Sequence, residues 1–392
     1  MWKIPLSDIS FDEREIEAVV SVLRSKWLTM GEVTQTFERA FADLVGVPHA
    51  FGVTNCTVAL QLAYRVLGVK AGDEVLMPSL TFVASANAAV AEGGTPVFVD
   101  LISEDDLTIS PEDLRAKITK RTKVITVVHY AGYPCDMDAI CGIAREHGLA
   151  IVEDCAHSPG ATYGGRQTGS IGDVGCFSFF SNKNMTTGEG GMITTKRADL
   201  AEHISLLRSH GMTSLTLDRH QGHSFSYDVL NAGYNFRLDE MRSALGLVQL
   251  SKLEEANRRR GEITRFYRAA FSDLVDEGLI RLPFSDREER AAYHILPILL
   301  SPELSRKDFM DQMRNAGVQT SIHYPPIHKF SYYAKALRNK ALDLPGTEAV
   351  CERLVTLPLY PDMTPEDVDY VVATARQIVA MSRPTNTANR ET

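Results

Sequence analysis

Short apolar segments alternate with helical patterns along the chain from about residue 50 to residue 195. The apolar segments are rich in Val, Ile and Phe, as expected of buried strands: DEVLMPS, TPVFVD, TKVITVVHY, LAIVEDC, VGCFSFF and GMITT. Helical stretches separate several of them: TVALQLAYRVLG, SPEDLRAKI and MDAICGIAREHG. This alternation predicts an α/β fold with a mostly parallel central sheet and helices on both faces.

Ligands bind to a sheet of this kind at the carboxyl ends of its strands. The residues that follow the predicted strands are therefore candidates for a functional site. They fall in four ranges: 78–82, 129–133, 154–157 and 178–183. We expect these ranges to meet at one edge of the sheet.

The chain changes character from about Ile280. RLPF, AAYHILPILL and GVQTSIHYPP are predicted to be strands of a smaller sheet, and a long helix that begins near Leu238 precedes them. A last helix is predicted to begin at Thr364, and the polar tail SRPTNTANRET is expected to be frayed. We predict a large domain over residues 1–250, including the N-terminal segment, and a smaller C-terminal α/β domain over residues 251–392.

Composition excludes several classes of function. The 392 residues carry a formal net charge of -9, which argues against a nucleic-acid partner without excluding a local anion site. No run approaches the ~18 apolar residues of a membrane span, and MWKIPLSDISFDEREIE lacks a signal pattern. We therefore expect a cytoplasmic protein with no membrane partner. The six cysteines include no C-x-x-C pair, so neither a disulfide framework nor a metal site is predicted.

Residues 175–191, GCFSFFSNKNMTTGEGG, carry Lys183 out of an apolar strand and place it beside a glycine turn. A solvated surface lysine is the ordinary interpretation, and a reactive amine is the alternative. Pyridoxal phosphate needs an amine, a carboxylate for its pyridine nitrogen, a phosphate cradle and a flat partner for its ring. The chain offers Lys183, Asp154, a helix start at residues 56–57 with Ser178, and Phe82. Because all lie in predicted strand-end loops, the reactive amine is favoured.

Some of these residues have other interpretations when taken alone. The helix start at residues 56–57 is either an anion site or an ordinary N-terminus capped by Thr54 or Asn55. Asp154 could bind a metal, cap a helix or pair with a cation, and His157 has no role that its position forces.

The order and the amino-acid sequences of these segments resemble those of the DegT/DnrJ/EryC1/StrS family of pyridoxal-phosphate aminotransferases, the sugar aminotransferases. The resemblance covers the chain from about Ile4 to about Val379. The segments that carry the resemblance are GDEVLMPSLTFVAS, GGTPVFVDL, IVEDCAHSPGATYGG, GDVGCFSFFSNKNMTTGEGG, LLRSHG, GYNFRLDEMRSALGLVQLSKLEE and IHYPPIH. It implies a fold-type I pyridoxal-phosphate-dependent transferase that works as a homodimer with shared active sites.

The resemblance also implies roles for individual residues around the cofactor. Lys183 would be the Schiff-base lysine, and Asp154 would hold the protonated pyridine nitrogen. His157 would lie near the ring's 3-oxygen, where many members have glutamine, and Phe82 would stack on the ring.

The cofactor phosphate would be bound by residues from two subunits. Ser178, Thr57 and the backbone of Cys56 would meet it, and Asn235 would reach the phosphate of the partner's cofactor. The usual Ser-Gly-Thr of the family reads Asn55-Cys56-Thr57 here, which removes a glycine. Without the resemblance, Asn235 and Arg237 would be predicted to form a capping loop before the helix at Leu238.

Six further residues are candidates for contacts with the substrate: Trp27, Thr29, Tyr130, Arg237, His323 and Tyr324. Each also has an ordinary structural interpretation. Trp27 could simply pack against its neighbours, and Tyr324, which precedes a proline, could belong to a turn.

The resemblance implies ping-pong transamination, in which pyridoxamine phosphate is the intermediate form of the cofactor. The donor would be glutamate or glutamine, the acceptor a nucleotide-linked keto sugar, and Lys183 the general base and acid. Three alternatives stay open: a keto-cyclitol aminotransferase, a cofactor-dependent sugar dehydratase and a non-catalytic ligand-sensing homologue. Dehydratases of this fold have histidine in place of the lysine, so Lys183 argues against that alternative. A nicotinamide-dependent dehydrogenase is disfavoured because no strand leads into G-x-G-x-x-G.

Overall fold

The computed structural model describes residues 2–213, 226–287, 290–336 and 343–382. The strands and helices of its N-terminal half are α1 (Glu13–Ser25), α2 (Glu32–Val45), β1 (His49–Val53), α3 (Cys56–Val66), β2 (Glu74–Pro78), α4 (Ala84–Ala91), β3 (Thr95–Val99), α5 (Pro111–Lys117), β4 (Thr122–Val128), α6 (Met137–His147), β5 (Ala150–Asp154), β6 (Thr162–Tyr163), β7 (Arg166–Gln167), β8 (Val174–Ser178), β9 (Gly191–Thr195) and α7 (Ala198–Leu207).

The C-terminal half begins with one long helix. Its elements are α8 (Glu240–Ala270), α9 (Ser272–Asp276), β10 (Ile280–Arg281), β11 (Leu296–Leu300), α10 (Arg306–Asn315), α11 (Ser331–Ala336), α12 (Pro345–Arg353), β12 (Leu354–Leu357) and α13 (Pro365–Met381). Helix α13 begins at Thr364, as predicted, where the Thr364 hydroxyl accepts from the Asp367 N–H in a capping box. The tail predicted to be frayed lies, from residue 383 on, outside the described residues.

The large sheet has seven strands in the order β1-β9-β8-β5-β4-β2-β3. Strands β8, β5, β4, β2 and β3 pair in parallel, and β9 pairs antiparallel with both β8 and β1. Helices α3, α4 and α7 bury their apolar residues on one face of the sheet, and α5 and α6 do so on the other. The predicted mostly parallel α/β sheet is confirmed, and all six predicted strands are present.

The smaller sheet contains β10, β11 and β12, all paired antiparallel. The sequence predicted GVQTSIHYPP as a strand of this sheet, which is wrong. That segment makes only isolated bridges, from Val318 to Ile4 and from Ser321 to Thr356. The third strand is instead β12, which follows α12 without a connecting loop, so the sequence holds no turn signal to separate the two.

Helix α8 links the two halves of the chain. The Glu240 carboxylate at its start accepts hydrogen bonds from the N–H groups of Gly31, Val33 and Thr34 at 2.8–2.9 Å and so caps α2. The predicted domain boundary at residue 250 falls inside this helix, and the division into two domains stays a prediction. Within the described ranges, no helix combines the length and the apolar character needed to span a membrane.

Candidate active site

Lys183 lies in the loop between β8 and β9. Its N–H donates to the Phe180 carbonyl at 2.9 Å, and its Nζ lies 3.3 Å from Nε2 of His294. The side chain is half-buried. Burial lowers the pKa of Lys183 to about 8, although the negative charge of Asp154 acts in the opposite direction. The amine is therefore more often neutral near pH 7 than that of an exposed lysine.

Asp154 ends strand β5 and is buried. Its Oδ2 accepts a hydrogen bond from Ser85 Oγ at 2.8 Å, and its Oδ1 accepts one from the Ala156 N–H at 3.1 Å. Burial raises the pKa of Asp154, while these hydrogen bonds and the charge of Lys183 favour the carboxylate. The sequence did not reveal the role of Ser85, the second residue of α4; its only signal is a polar residue in the apolar helix ASANAAVA.

Glu153 and His129 form a separate buried pair on the other side of β5. The ligand atoms of His129, Glu153 and Cys155 lie within 4.8 Å of one another, a spacing that a metal ion could bridge. His129 Nδ1 accepts from the Cys135 N–H, so its Nε2 carries the hydrogen that points to Glu153 at 3.1 Å. Both carboxylate oxygens of Glu153 also accept backbone N–H groups of the 169–172 turn. The His129 and Glu153 side chains therefore already have hydrogen-bond partners within the chain, as buried polar groups require.

The start of α3 lies against the end of β8. Gly191 pairs with Ser178, and a Cβ built on Gly191 would lie 2.7–2.8 Å from backbone atoms of Asn55 and Cys56, so only glycine permits this approach. The Asn55 side chain caps the helix by accepting from the Val58 N–H at 3.0 Å. Capping by Asn55 and an anion site are thus compatible, because the N–H groups of Cys56 and Thr57 lie in the first turn, where the helix dipole favours an anion.

Cys56, where the resemblance implies a glycine, has no backbone strain. It is the first residue of α3, and its φ is not among the positive values of the described residues. The side chain is buried, which raises the pKa of the thiol well above its usual value. Thr57, the next residue of this first turn, is exposed.

Phe82, His157 and Tyr324 form an aromatic wall beside Asp154. The Phe82 side chain is 56% exposed, and its ring centroid lies 5.7 Å from that of Tyr324. His157 Nδ1 accepts from the Ala131 N–H at 3.3 Å, so its Nε2 donates to the Tyr324 hydroxyl at 2.9 Å. Burial lowers the pKa of His157 well below its usual value, which keeps the ring neutral.

Tyr130 and His323 lie behind this wall. The Tyr130 hydroxyl donates to the His323 carbonyl, and His323 Nδ1 is 3.0 Å from Thr356 Oγ1. Burial lowers the pKa of His323 to about 4, and the charge of Lys183 acts in the same direction. Both side chains are buried, so Tyr130 supports the wall from behind.

The N-terminal candidates Trp27 and Thr29 lie in the connection between α1 and α2. The Trp27 indole packs so closely against Gly31 that a Cβ built on Gly31 would clash with its Nε1. Thr29 is exposed.

Asn235 and Arg237 lie at the outer edge of the large sheet. Asn235 is exposed and forms a backbone bridge with Ser209. Arg237 bridges Val53, and its Nη1 donates to Ser209 Oγ at 3.1 Å.

A cavity of about 430 Å³ borders Lys183 on the side of α8. The loop residues 181–186, the N-terminal arm at residues 8–14 and α8 line it. One lining residue is Arg260, whose buried guanidinium donates through Nη1 to the carbonyls of His294 and Leu359 at 3.2 and 2.8 Å. Sequence reasoning missed both His294 and Arg260, which lie in segments that read as an ordinary strand and an ordinary helix.

The residues present fit pyridoxal phosphate. A half-buried amine, a buried carboxylate, an open helix N-terminus next to Ser178 and an exposed aromatic ring converge on one edge of the sheet. The close contact of Gly191 with the backbone at the start of α3 is the most specific evidence for a phosphate site. It brings the helix N-terminus to the end of the strand, where the cofactor phosphate would be bound.

Comparison with known proteins agrees with this fit. Residues 10–376 match the model of the DegT/DnrJ/EryC1/StrS aminotransferase family. The spore coat polysaccharide biosynthesis protein SpsC of Bacillus subtilis is 40% identical over 381 residues, which are 96% of this chain and 97% of SpsC.

Solved structures give the same result. PseC of Helicobacter pylori, an aminotransferase of pseudoaminic acid biosynthesis, matches with a TM-score of 0.90 and 29% identity over 96% of this chain and 99% of PseC. Spr1654 of Streptococcus pneumoniae, solved in PLP and PMP forms, matches in its PMP form with a TM-score of 0.89 and 30% identity over 97% of this chain and 100% of that chain. The predicted fold-type I class and the predicted cofactor are confirmed. The chain belongs to the DegT/DnrJ/EryC1/StrS family and is a pyridoxal-phosphate-dependent aminotransferase.

Proposed function

We propose that this enzyme moves an amino group from glutamate, or from glutamine, to a nucleotide-linked keto sugar, with Lys183 as the residue that holds the cofactor. The observation that carries the proposal is the half-buried Lys183 amine, with a pKa lowered to about 8, in a site shared with the buried Asp154. A sugar acceptor is supported by the relatives, one named for polysaccharide biosynthesis and another for pseudoaminic acid biosynthesis.

The residues around the site would hold the cofactor from four directions. Asp154 would face the pyridine nitrogen as a carboxylate, oriented by Ser85 and the Ala156 N–H. Ser178 and the first turn of α3 would bind the phosphate, and Phe82 would cover the ring. When bound, pyridoxal phosphate supplies an electron sink for the carbon that carries the amino group.

Lys183 would move the proton in each half-reaction. A general base works best when its pKa lies near the working pH, and a value of about 8 meets that condition better than that of an exposed lysine. The neutral His157 would contribute a fixed N–H donor through its Nε2, which the structure orients toward Tyr324. In the proposed mechanism, His157 acts as a fixed hydrogen-bond donor and does not transfer the proton.

The acceptor would contact residues from both subunits of a homodimer. His323 and Tyr324 lie near the site within one chain, with Tyr130 behind them. Trp27 and Thr29 precede α2, and Asn235 and Arg237 lie at the edge of the large sheet, and we propose that all four act at the partner's site. Asn235 would meet the partner's cofactor phosphate, and Arg237 a phosphate of the nucleotide.

The first test is an absorbance spectrum of the purified holoenzyme before and after glutamate is added. We expect the visible band of the bound cofactor to fade with glutamate and to return with a keto-sugar nucleotide. Lys183→Ala should lose this response. Lys120→Ala, a substitution at an exposed lysine distant in sequence from Lys183, should keep it. Wild-type turnover by Lys183→Ala would refute the role of Lys183. Recovery of the band with keto-cyclitols alone would replace the sugar by a cyclitol.

The shared site is tested by mixing two inactive variants, Lys183→Ala and Asn235→Ala, under conditions in which subunits exchange. If Asn235 acts across the interface, each hybrid dimer contains one intact site, and an equal mixture should regain roughly a quarter of wild-type activity. If Asn235 acts within its own chain, each hybrid has no intact site, and the mixture should stay inactive.

A further inference from the structure

A chain of buried amides runs from the backbone to the histidine beside Lys183. Asn257 Nδ2 donates to the Pro159 carbonyl at 2.8 Å, which leaves Asn257 Oδ1 as an acceptor. Asn184 Nδ2 donates both to that oxygen and to the Ala292 carbonyl, each at 2.7 Å. Two carbonyl acceptors therefore fix the Asn184 amide, and its Oδ1 points to His294 Nδ1 at 2.8 Å.

This chain determines the tautomer of His294. Because Asn184 Oδ1 can only accept, His294 Nδ1 must carry the hydrogen. Burial lowers the pKa of His294 well below its usual value, so the ring is neutral and its Nε2 carries a lone pair. That lone pair faces Lys183 Nζ at 3.3 Å.

We propose that His294 is a positioning residue for Lys183, which accepts a hydrogen bond from Nζ at Nε2 and holds the amine in place without taking its proton. The proposal rests on the function proposed above, in which Lys183 Nζ is the reactive amine. A neutral amine that donates to His294 keeps its own lone pair free, both to hold the cofactor and to accept a proton.

An imidazole suits this task better than a carboxylate does. A carboxylate at this place would form an ion pair with the ammonium and would hold Lys183 in its charged state. The neutral ring gives the ammonium only a hydrogen bond, so Lys183 can lose its proton near neutral pH. The titratable groups that face Lys183 and His294 are Asp154, Cys56, His157, His323 and Arg260.

The experiment measures the pKa of Lys183 itself in the full-length apoprotein. A trace of acetic anhydride is applied between pH 6 and pH 10, and the labelled Lys183 peptide is quantified by mass spectrometry. We expect a midpoint near 8 for the wild type, and a midpoint roughly one unit lower for His294→Phe, because the ammonium loses its acceptor. His294→Gln should restore the midpoint, since its amide can donate to Asn184 and accept from Lys183.

His328→Phe is the matched control. His328 is also buried, and its Nδ1 lies 2.7 Å from Ser79 Oγ, but it does not contact Lys183. We expect this control to leave the midpoint unchanged. An unchanged midpoint in His294→Phe, or a shift equal to that of the control, would overturn the proposal.

A second measurement needs no substitution in the observed protein. The ¹⁵N spectrum of the histidine side chains should assign His294 as the Nδ1–H tautomer, with His294→Gln used only to identify its signals. An Nε2–H tautomer would overturn the proposal even if His294→Phe failed to fold. Borohydride reduction of the holoenzyme and peptide mapping separately test whether Lys183 holds the cofactor, so failure of the proposed function can be told from failure of this contact.

Discussion

Replacing Gly191 by alanine perturbs the contact on which the proposed phosphate cradle depends. The new Cβ would lie 2.7 Å from the carbonyl carbon of Asn55, 2.8 Å from the Cys56 nitrogen and 2.8 Å from the Phe177 oxygen. All three are backbone atoms, so they must move by about 0.6 Å to bring a 2.8 Å contact to the 3.4 Å of ordinary van der Waals contact.

The magnitude follows from two opposed effects on the free energy of unfolding. Overpacking at a rigid site costs about 1–3 kcal/mol, and the lower entropy of the unfolded alanine chain returns about 0.4–1 kcal/mol. We therefore expect Gly191→Ala to be destabilised by about 1–2 kcal/mol. Because the displacement falls on the first turn of α3, cofactor affinity should fall about tenfold, as for the loss of one hydrogen bond to a charged phosphate.

Gly142→Ala provides the matched control, because a Cβ built on Gly142 in α6 meets nothing within 4 Å. This variant should be stabilised by about 0.5–1 kcal/mol and should bind the cofactor as the wild type does. Urea unfolding of both apoproteins gives the stabilities, and titration with pyridoxal phosphate gives the affinities. If Gly191→Ala matched Gly142→Ala in both measurements, the tight approach of α3 to β9 would be refuted.

Two further substitutions test other parts of the structure. Glu240→Gln should lower the free energy of unfolding by about 2 kcal/mol, because the new amide NH₂ would face backbone N–H donors at the start of α2. The control Glu303→Gln, at an exposed position, should change it little. Equal effects of the two substitutions in urea unfolding would contradict the role of Glu240 as a cap. Lys183→Met should stabilise the apoprotein at pH 7 by about 1–2 kcal/mol, because it removes a charged group whose pKa folding lowers. This value is smaller than the full pKa shift would give, since the side chain is only half-buried and solvent screens its charge. The pKa of Lys183 in the folded protein, about 8, lies below its value in the unfolded chain, so the stability of the wild type should rise between pH 8 and pH 10. The difference in unfolding free energy between Lys183→Met and the wild type should therefore shrink over this range. A difference that stays constant with pH would contradict the lowered pKa.

The large sheet was predictable from the sequence because its strands are buried on both faces. Strands β2, β5, β8 and β9 have few exposed positions, so each reads as a short apolar run between turn signals. The smaller sheet was predicted less well, since β12 continues directly from α12, and a run of four residues after a helix carries no strand signal of its own.

The candidate site also contains residues that the sequence predicted and residues that it missed. Lys183, Asp154 and Ser178 follow predicted strands, and the strand-end rule identified them without knowledge of tertiary packing. Ser85 and His294 act on those residues from 69 and 111 positions away, and no local pattern connects them. Their roles depend on packing that only the folded chain provides.

Helix α8 has a mechanical consequence for the two regions that it contacts. Its 31 residues span about 46 Å and form a stiff strut between the two sheets. Along this strut, Gln249 and Asn257 bond the loop that carries Lys183, and Arg260 bonds carbonyls next to the smaller sheet. The same rigid helix therefore fixes both the loop that carries Lys183 and the backbone beside the smaller sheet, so a displacement of either region is transmitted to the other.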